Sequence, residues 1–277
     1  MSVVWYDGVF CGESLPLDPR DRGLLLGDGV FETIAVLNHK PLWIVGHLAR
    51  LEQSSRELGI PVEMEFLRYG LDAVLSKSQS VFEVLRITVS RGLAERGLIG
   101  RNSLPKVLIS LEAFAATNLF QPCRLKVSTI RRNEFAPSSR LKTISYIDGI
   151  LAAREVAGDA DDALMLNTAG HVASSTIGNI FLVCGDELIT PALDQGILSG
   201  IIRRVLLDNA AKPVERRVDL ADLLKADAVF LCNSIRFIRP VSHINGESLV
   251  TGSLDGLKEV LCRLAEAQSG IDPRSLM

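Results

Sequence analysis

The chain has 277 residues, 47% of them hydrophobic and 23% charged, and a formal net charge of −3. That length allows one large domain or two modest ones, and the composition is ordinary for a soluble globular protein. The charge gives no reason to expect nucleic acid or an anionic membrane as a partner, and no apolar run approaches the roughly 20 residues that span a bilayer.

Residues 3–6 and 9–11 flank Asp7 and Gly8, a turn pair that predicts a hairpin. Residues 31–37 alternate and are followed by Asn38, His39, Lys40 and Pro41, then by 42–45, which predicts a second hairpin. Residues 46–58 carry Leu48, Leu51 and Leu58 with charges between them and end at Gly59, a helix with its stop. A further helix is expected over 64–76, and strands over 84–90 and 106–111. Residues 114–122 break both periodicities and read as a connection between domains.

Beyond it, 125–130 alternates as a strand and 146–156 is helical, closed by Gly158 and Asp159. Short strands follow over 163–167, 172–174, 180–183 and 187–189. Helices are expected over 199–211, 220–225 and 254–267, and a strand over 228–232. The fold class is α+β or mixed α/β, with a smaller N-terminal domain (1–114), a linker (115–122) and a larger C-terminal domain (123–277).

The five cysteines are scattered, odd in number and without a Cys-x-x-Cys pair, which argues against a disulfide framework or a zinc site. The four histidines have no metal-ligand spacing, so no metal is expected. Residues 1–7 have neither a basic region nor an apolar core of signal-peptide type, and a cytosolic protein is expected.

Lys142 opens a strand-to-helix junction; taken alone, a lysine there is an ordinary solvated side chain. Residues 198–203 place Ser199 and Gly200 directly before a helix, whose first amides can cradle an anion; the bland reading is a Ser-capped helix start. Arg50 lies on the first helix, where a solvated face is the default. Arg91 and Arg96 share the Gly-flanked loop 90–97 and could grip a carboxylate, or simply ride on a surface loop. Gly27 and Gly29 do not make a dinucleotide fingerprint, since a third glycine and a preceding strand are missing. Ser174 and Ser175 lack the Gly-x-Ser-x-Gly context of a hydrolase elbow.

In this order the segments 21–33, 47–51, 141–143, 163–166, 170–172, 179–181, 190–191 and 200–203 resemble the fold type IV pyridoxal-phosphate enzymes, a family of branched-chain and D-amino-acid aminotransferases and 4-amino-4-deoxychorismate lyases. The resemblance implies two domains with pyridoxal 5'-phosphate in the cleft between them. It implies Lys142 as the Schiff-base lysine and proton shuttle, and a phosphate grip made by Arg50 and the backbone of Ile201 and Ile202, with Ser234 nearby. It also implies a homodimer and a small-molecule amino substrate. A lysine amine suits this role once its surroundings lower its pKa, while the cofactor acts as electron sink.

This chain departs from the family's pattern at two cofactor-binding positions. Ser174 stands where the family has a glutamate that keeps the pyridine nitrogen protonated, and a hydroxyl makes the ring a weaker sink. Ile202 stands where a threonine hydroxyl often bonds the phosphate, leaving only backbone amides. Ser145 also replaces a common asparagine.

Three features lean towards the lyase branch: the Arg91/Arg96 loop, the segment 232–241, and the apolar residue at position 202. Elimination of pyruvate creates an aromatic ring, so the lyase reaction tolerates a weaker sink better than transamination does. The alternative is an aminotransferase for branched-chain or D-amino acids, with Arg91 and Arg96 on the substrate carboxylate. A third reading is a family member without catalysis; Ser174 and Ile202 permit it.

Overall fold

The computed structural model describes residues 2–12 and 14–277. They form two compact units, the first made of Met1–Ala115, Leu141–Ser145 and Ala267–Ile271, the second of Ala116–Arg140, Tyr146–Glu266 and Asp272–Met277. The short segment that carries Lys142 therefore belongs to the first unit.

The first unit contains β1 (Val3–Tyr6), β2 (Val9–Cys11), α1 (Arg22–Leu26), β3 (Gly29–Leu37), β4 (Lys40–Pro41), α2 (Ile44–Glu57), α3 (Met64–Leu75), β5 (Phe82–Leu93) and β6 (Leu104–Ala113). The strands form an antiparallel sheet in the order β2-β1-β6-β5-β3-β4. Period-two alternation puts Val30, Ile34 and Val36 of β3 on one face, where they pack with Leu48 and Leu51 of α2 and Leu67, Leu71 and Val74 of α3. Near its end β5 is bulged between Gly92 and Leu93. Gly92 has φ +65, and a Cβ there would stand 1.8 Å from the Leu104 carbonyl oxygen, so only glycine fits.

Residues 42–45, expected as a strand, are not one. Leu42 is buried in a turn, Trp43 adopts a left-handed φ of 51°, and α2 has begun by Ile44. The apolar run was too short for its period to separate strand from helix. Trp43 N donates to Gln268 Oε1 at 2.7 Å.

The second unit contains β7 (Cys123–Val127), α4 (Ile147–Val156), β8 (Asp162–Leu166), β9 (Val172–Ser175), β10 (Asn179–Cys184), β11 (Glu187–Pro191), α5 (Ile201–Asn209), β12 (Pro213–Arg216), α6 (Leu220–Lys225), β13 (Ala228–Asn233), β14 (Phe237–Ile244), β15 (Glu247–Ser248) and most of α7 (Asp255–Ser269). Its sheet runs β12-β11-β10-β13-β14-β7-β8-β9 and closes on itself where Asn179 of β10 pairs with Ser174 of β9. Parallel pairs (β7–β8, β7–β14, β11–β12) mix with antiparallel ones. Cys123, Leu125, Leu164, Ile180, Leu182, Leu231 and Val241 lie in its main core, while Ala152 and Val156 of α4 cover Ala163 and Met165 of β8.

Residues 116–118 of the expected linker form a 3-10 turn, after which Leu119 and Phe120 are buried. The strand expected over 125–130 stops at Val127. No helix among the described residues is long and apolar enough to cross a membrane.

Candidate active site

In the first unit, residues 141–145 run extended beside the start of β3. Phe31 N donates to Lys142 O at 2.9 Å, Ile144 N donates to Gly29 O at 3.0 Å, and Val30 bridges Thr143. This pairing fixes the backbone of Lys142. Its Nζ stands 4.2 Å from the Phe31 ring centroid, within cation–π range, and the side chain is half-buried. The junction expected from the sequence is thus an added strand edge followed, from Ile147, by α4.

Glu32, next on β3, falls on the same face as Val30 and Ile34 and is wholly buried. Its partners come from α2, where His47 and Arg50 are three residues apart and so share a helix face. Arg50 Nε donates to Glu32 Oε1 at 2.7 Å and NH2 donates to Oε2 at 2.6 Å, a bidentate pair. His47 Nδ1 lies 2.7 Å from Glu32 Oε2. Burial pushes the Glu32 carboxyl up, but the hydrogen bonds and charges of Arg50 and His47 outweigh it and hold the group at about 2. Burial pushes His47 below its ordinary value; Glu32 opposes this, and the charges of Arg50 and Lys142 add to it. A neutral His47 then donates from Nδ1, and its Nε2 is buried without a hydrogen-bond partner.

A second charged cluster holds the loop after β5. Asp28 Oδ2 accepts from both Arg22 Nε and Arg91 Nε at 2.8 Å. Burial raises the Asp28 carboxyl, and the two guanidiniums together bring it below the usual range. Arg22 NH1 and NH2 donate to the carbonyls of Gly97 (2.5 Å) and Leu98 (3.0 Å). Arg91 NH1 and NH2 donate to those of Gly59 (2.9 Å) and Leu58 (2.7 Å). All three nitrogens of Arg91 are therefore engaged inside the first unit, whereas Arg96 is exposed on the loop.

In the second unit, Ser174 is buried at the closure of the sheet and its Oγ donates to Ser175 O at 2.9 Å. It supplies a neutral group there. Across the closing pair, Asn179 Nδ2 donates to Leu198 O at 2.9 Å and pins the loop leading into α5. Gly200 is the N-cap of α5 and has no side chain with which to cap that turn. A Cβ on Gly200 would lie 2.1 Å from Asn179 Oδ1, so this approach of loop and strand needs glycine. The first amides of α5, at Ile201 and Ile202, stand at the positive end of the helix. The Ile202 side chain is 1% exposed, so it serves the core and only its N–H can meet a ligand. Ser234 is half-buried in the turn between β13 and β14, where Asn233 Oδ1 accepts from the N–H groups of Ile235 and Arg236.

Glu32, His47 and Asp28 were not picked out from the sequence. The available signal was local: a lone acid in the apolar alternation of a strand, and a His/Arg pair at helical spacing on the next element.

A family model described as Amino-transferase class IV matches residues 29–244. The aminodeoxychorismate lyase of Bacillus subtilis is 31% identical over 252 residues, covering 87% of this chain and 85% of that protein. Among solved structures, the 4-amino-4-deoxychorismate lyase from Pseudomonas aeruginosa is similar with a TM-score of 0.84 at 30% identity, over 96% of this chain and 99% of that one. The branched-chain aminotransferase from Thermoproteus uzoniensis gives a TM-score of 0.86 at 26% identity, over 97% and 95%. The fold is that of the mixed α+β fold type IV aminotransferases, and the chain belongs to the class IV aminotransferase family.

Proposed function

We propose that this chain is a pyridoxal 5'-phosphate-dependent lyase that converts 4-amino-4-deoxychorismate into 4-aminobenzoate and pyruvate. The donor set suits such a cofactor. The first unit offers an amine, Lys142, backed by the Phe31 ring, and a guanidinium, Arg50, held in a fixed plane. The second offers the first turn of α5 at Ile201 and Ile202, opened by a glycine N-cap, with Ser234 on a separate turn. An aldehyde needs the former amine, and a phosphate needs the latter groups.

When bound, the cofactor supplies the electron sink. Lys142 would hold the aldehyde until the substrate amine displaces it; its freed amine would then take the proton from the substrate carbon that bears the amino group, as the ring C–O bond breaks and the enolpyruvyl group leaves as pyruvate. Arg50 would bind the phosphate, a role that the first amides of α5 at Ile201 and Ile202 also suit. Arg96, exposed on its loop, meets a substrate carboxylate, and Arg91 keeps that loop in place through Asp28 and the carbonyls of Leu58 and Gly59.

The observation that carries the choice of lyase is Ser174. A neutral hydroxyl bound to a backbone carbonyl cannot hold a pyridinium as an anion does, and a reaction driven by formation of an aromatic ring depends least on that help. The likeness to the Bacillus subtilis lyase supports the same reading. Incubation with 4-amino-4-deoxychorismate should release 4-aminobenzoate, measured by chromatography. A blank result together with bleaching of the cofactor band by single amino acids would favour the aminotransferase reading. That reading draws support from a putative branched-chain-amino-acid aminotransferase of Methanocaldococcus jannaschii, 29% identical over 88% of each chain.

The protein works in the cytosol as a homodimer on this reading. Support for the dimer comes from Leu24, Leu25, Leu26, Leu98 and Ile99, all exposed on the first unit.

A further inference from the structure

The Glu32 cluster exceeds what packing needs. Glu32 and His47 are fully buried on a face otherwise filled by Val30, Ile34, Leu48 and Leu51. His47 Nε2 is left without a partner. A buried ion pair with an orphaned acceptor beside it is weak ground for stability, since apolar side chains of similar volume serve as well or better. What the cluster provides is orientation. Two parallel hydrogen bonds, Nε to Oε1 and NH2 to Oε2, fix the plane of the Arg50 guanidinium. The contact from His47 Nδ1 to Oε2 stops the carboxylate from turning about its own axis.

We infer that Glu32 is a positioning residue for phosphate recognition: from inside the sheet, braced by His47, it sets the Arg50 guanidinium in one orientation in which that fork meets the phosphoryl group. The inference rests on the reading of Arg50 as a phosphate ligand. It has a counter-intuitive sign. Glu32 is anionic and lies beside Arg50, so by charge alone it repels a phosphate, and its removal would tighten binding. By orientation its removal loosens binding. Glutamine keeps the shape but turns an N–H group towards Arg50 NH2 and His47 Nδ1, which breaks the bidentate pair.

The test compares two aldehydes, pyridoxal 5'-phosphate and pyridoxal, by equilibrium dialysis against the full chain. Both engage Lys142, so the dissociation constant of pyridoxal divided by that of pyridoxal 5'-phosphate isolates the phosphate. Glu32→Gln should lower that ratio by about tenfold or more, roughly one good charged hydrogen-bond set, with pyridoxal affinity nearly unchanged. In an Arg50→Lys background, which has no fork to orient, Glu32→Gln should leave the ratio where it was. A ratio unchanged or raised by Glu32→Gln, or both aldehydes weakened alike, would overturn the inference while leaving Arg50 as the ligand. Equal binding of the two aldehydes by the unmodified chain would overturn the reading of Arg50 itself. Should Glu32→Gln not fold, Glu32→Asp decides by the same ratio, since it keeps the charge and loses the reach.

Discussion

Lys142→Ala should leave the fold intact and remove chemistry. The residue is anchored through its backbone carbonyl to Phe31 N, and its half-buried side chain fills no core position. Turnover should fall to background and borohydride should no longer fix cofactor to the chain, with the melting temperature little changed; full activity in the variant would remove the central assignment. The Glu32–His47 pair carries a pH signature as well. Glu32 lies at about 2 in the fold against an ordinary 4.5, so its stabilisation is complete above about 4.5 and is lost as pH falls towards 2. His47 lies below its ordinary 6.5. As pH drops below 6.5 the unfolded chain takes up a proton that the folded chain refuses, and stability declines there too. Both groups act in the same direction, in successive windows. His47→Asn, whose amide can still donate to Glu32, should flatten the upper part of the decline and keep the lower part. Urea midpoints near pH 7, 5.5 and 4 read both windows, and an unaltered slope between the first two would show that another group titrates there.

The start of α5 depends on how closely Gly200 approaches Asn179, and that gives a coupled pair to test. Gly200 has φ −70, so alanine is free of backbone strain there and its only difficulty is the 2.1 Å approach to Asn179 Oδ1. Gly200→Ala should displace the first turn of α5, destabilise the fold by roughly 1–3 kcal/mol as overpacking does, and weaken binding of phosphorylated cofactor. Asn179→Ala removes the obstructing oxygen but also the bond to Leu198 O. The double variant should therefore be more stable than the sum of the two single losses, and strict additivity in urea titrations would contradict the contact. The same elements show what was legible in the chain. Long periodic segments such as α2, α3, β5 and β10 were readable because burial on one or both faces leaves a pattern. β14 was not, because Pro240 sits in its middle and a proline argues against an inner strand; the strand accommodates it beside a register shift between Val241 and His243. α1 has five residues, too few for a period. Lys142 stood out only through resemblance to a family, since an isolated lysine looks ordinary, whereas the start of α5 was marked by Ser199 and Gly200 but read equally well as a capped helix start. Glu32 left a faint local trace, and Arg91 looked like a ligand because its carbonyl partners, Leu58 and Gly59, are some thirty residues away along the chain.

Assembly is where the surface of the first unit makes its own demand. Leu24, Leu25 and Leu26 occupy three consecutive positions of α1 and are each more than half exposed, and Leu98 and Ile99 are 87% and 75% exposed. Arg22 ties these segments together: it stands at the start of α1 and donates to the carbonyls of Gly97 and Leu98. Single exposed apolar residues need no explanation, but five on two segments tied together by the part-buried Asp28–Arg22–Arg91 cluster are costly to leave in water. A second copy of the chain is the occupant expected from the homodimer reading. Leu25→Asp combined with Ile99→Asp should then yield a monomer by light scattering at a concentration where the unmodified chain is dimeric, with an unchanged far-ultraviolet circular dichroism spectrum because neither side chain belongs to a core. If turnover needs the neighbouring copy, it should fall with the dimer fraction as the protein is diluted, whereas a purely structural interface would leave the rate per chain constant. A unmodified chain that is monomeric at all concentrations would remove this interface and leave the five apolar residues without a partner to account for them.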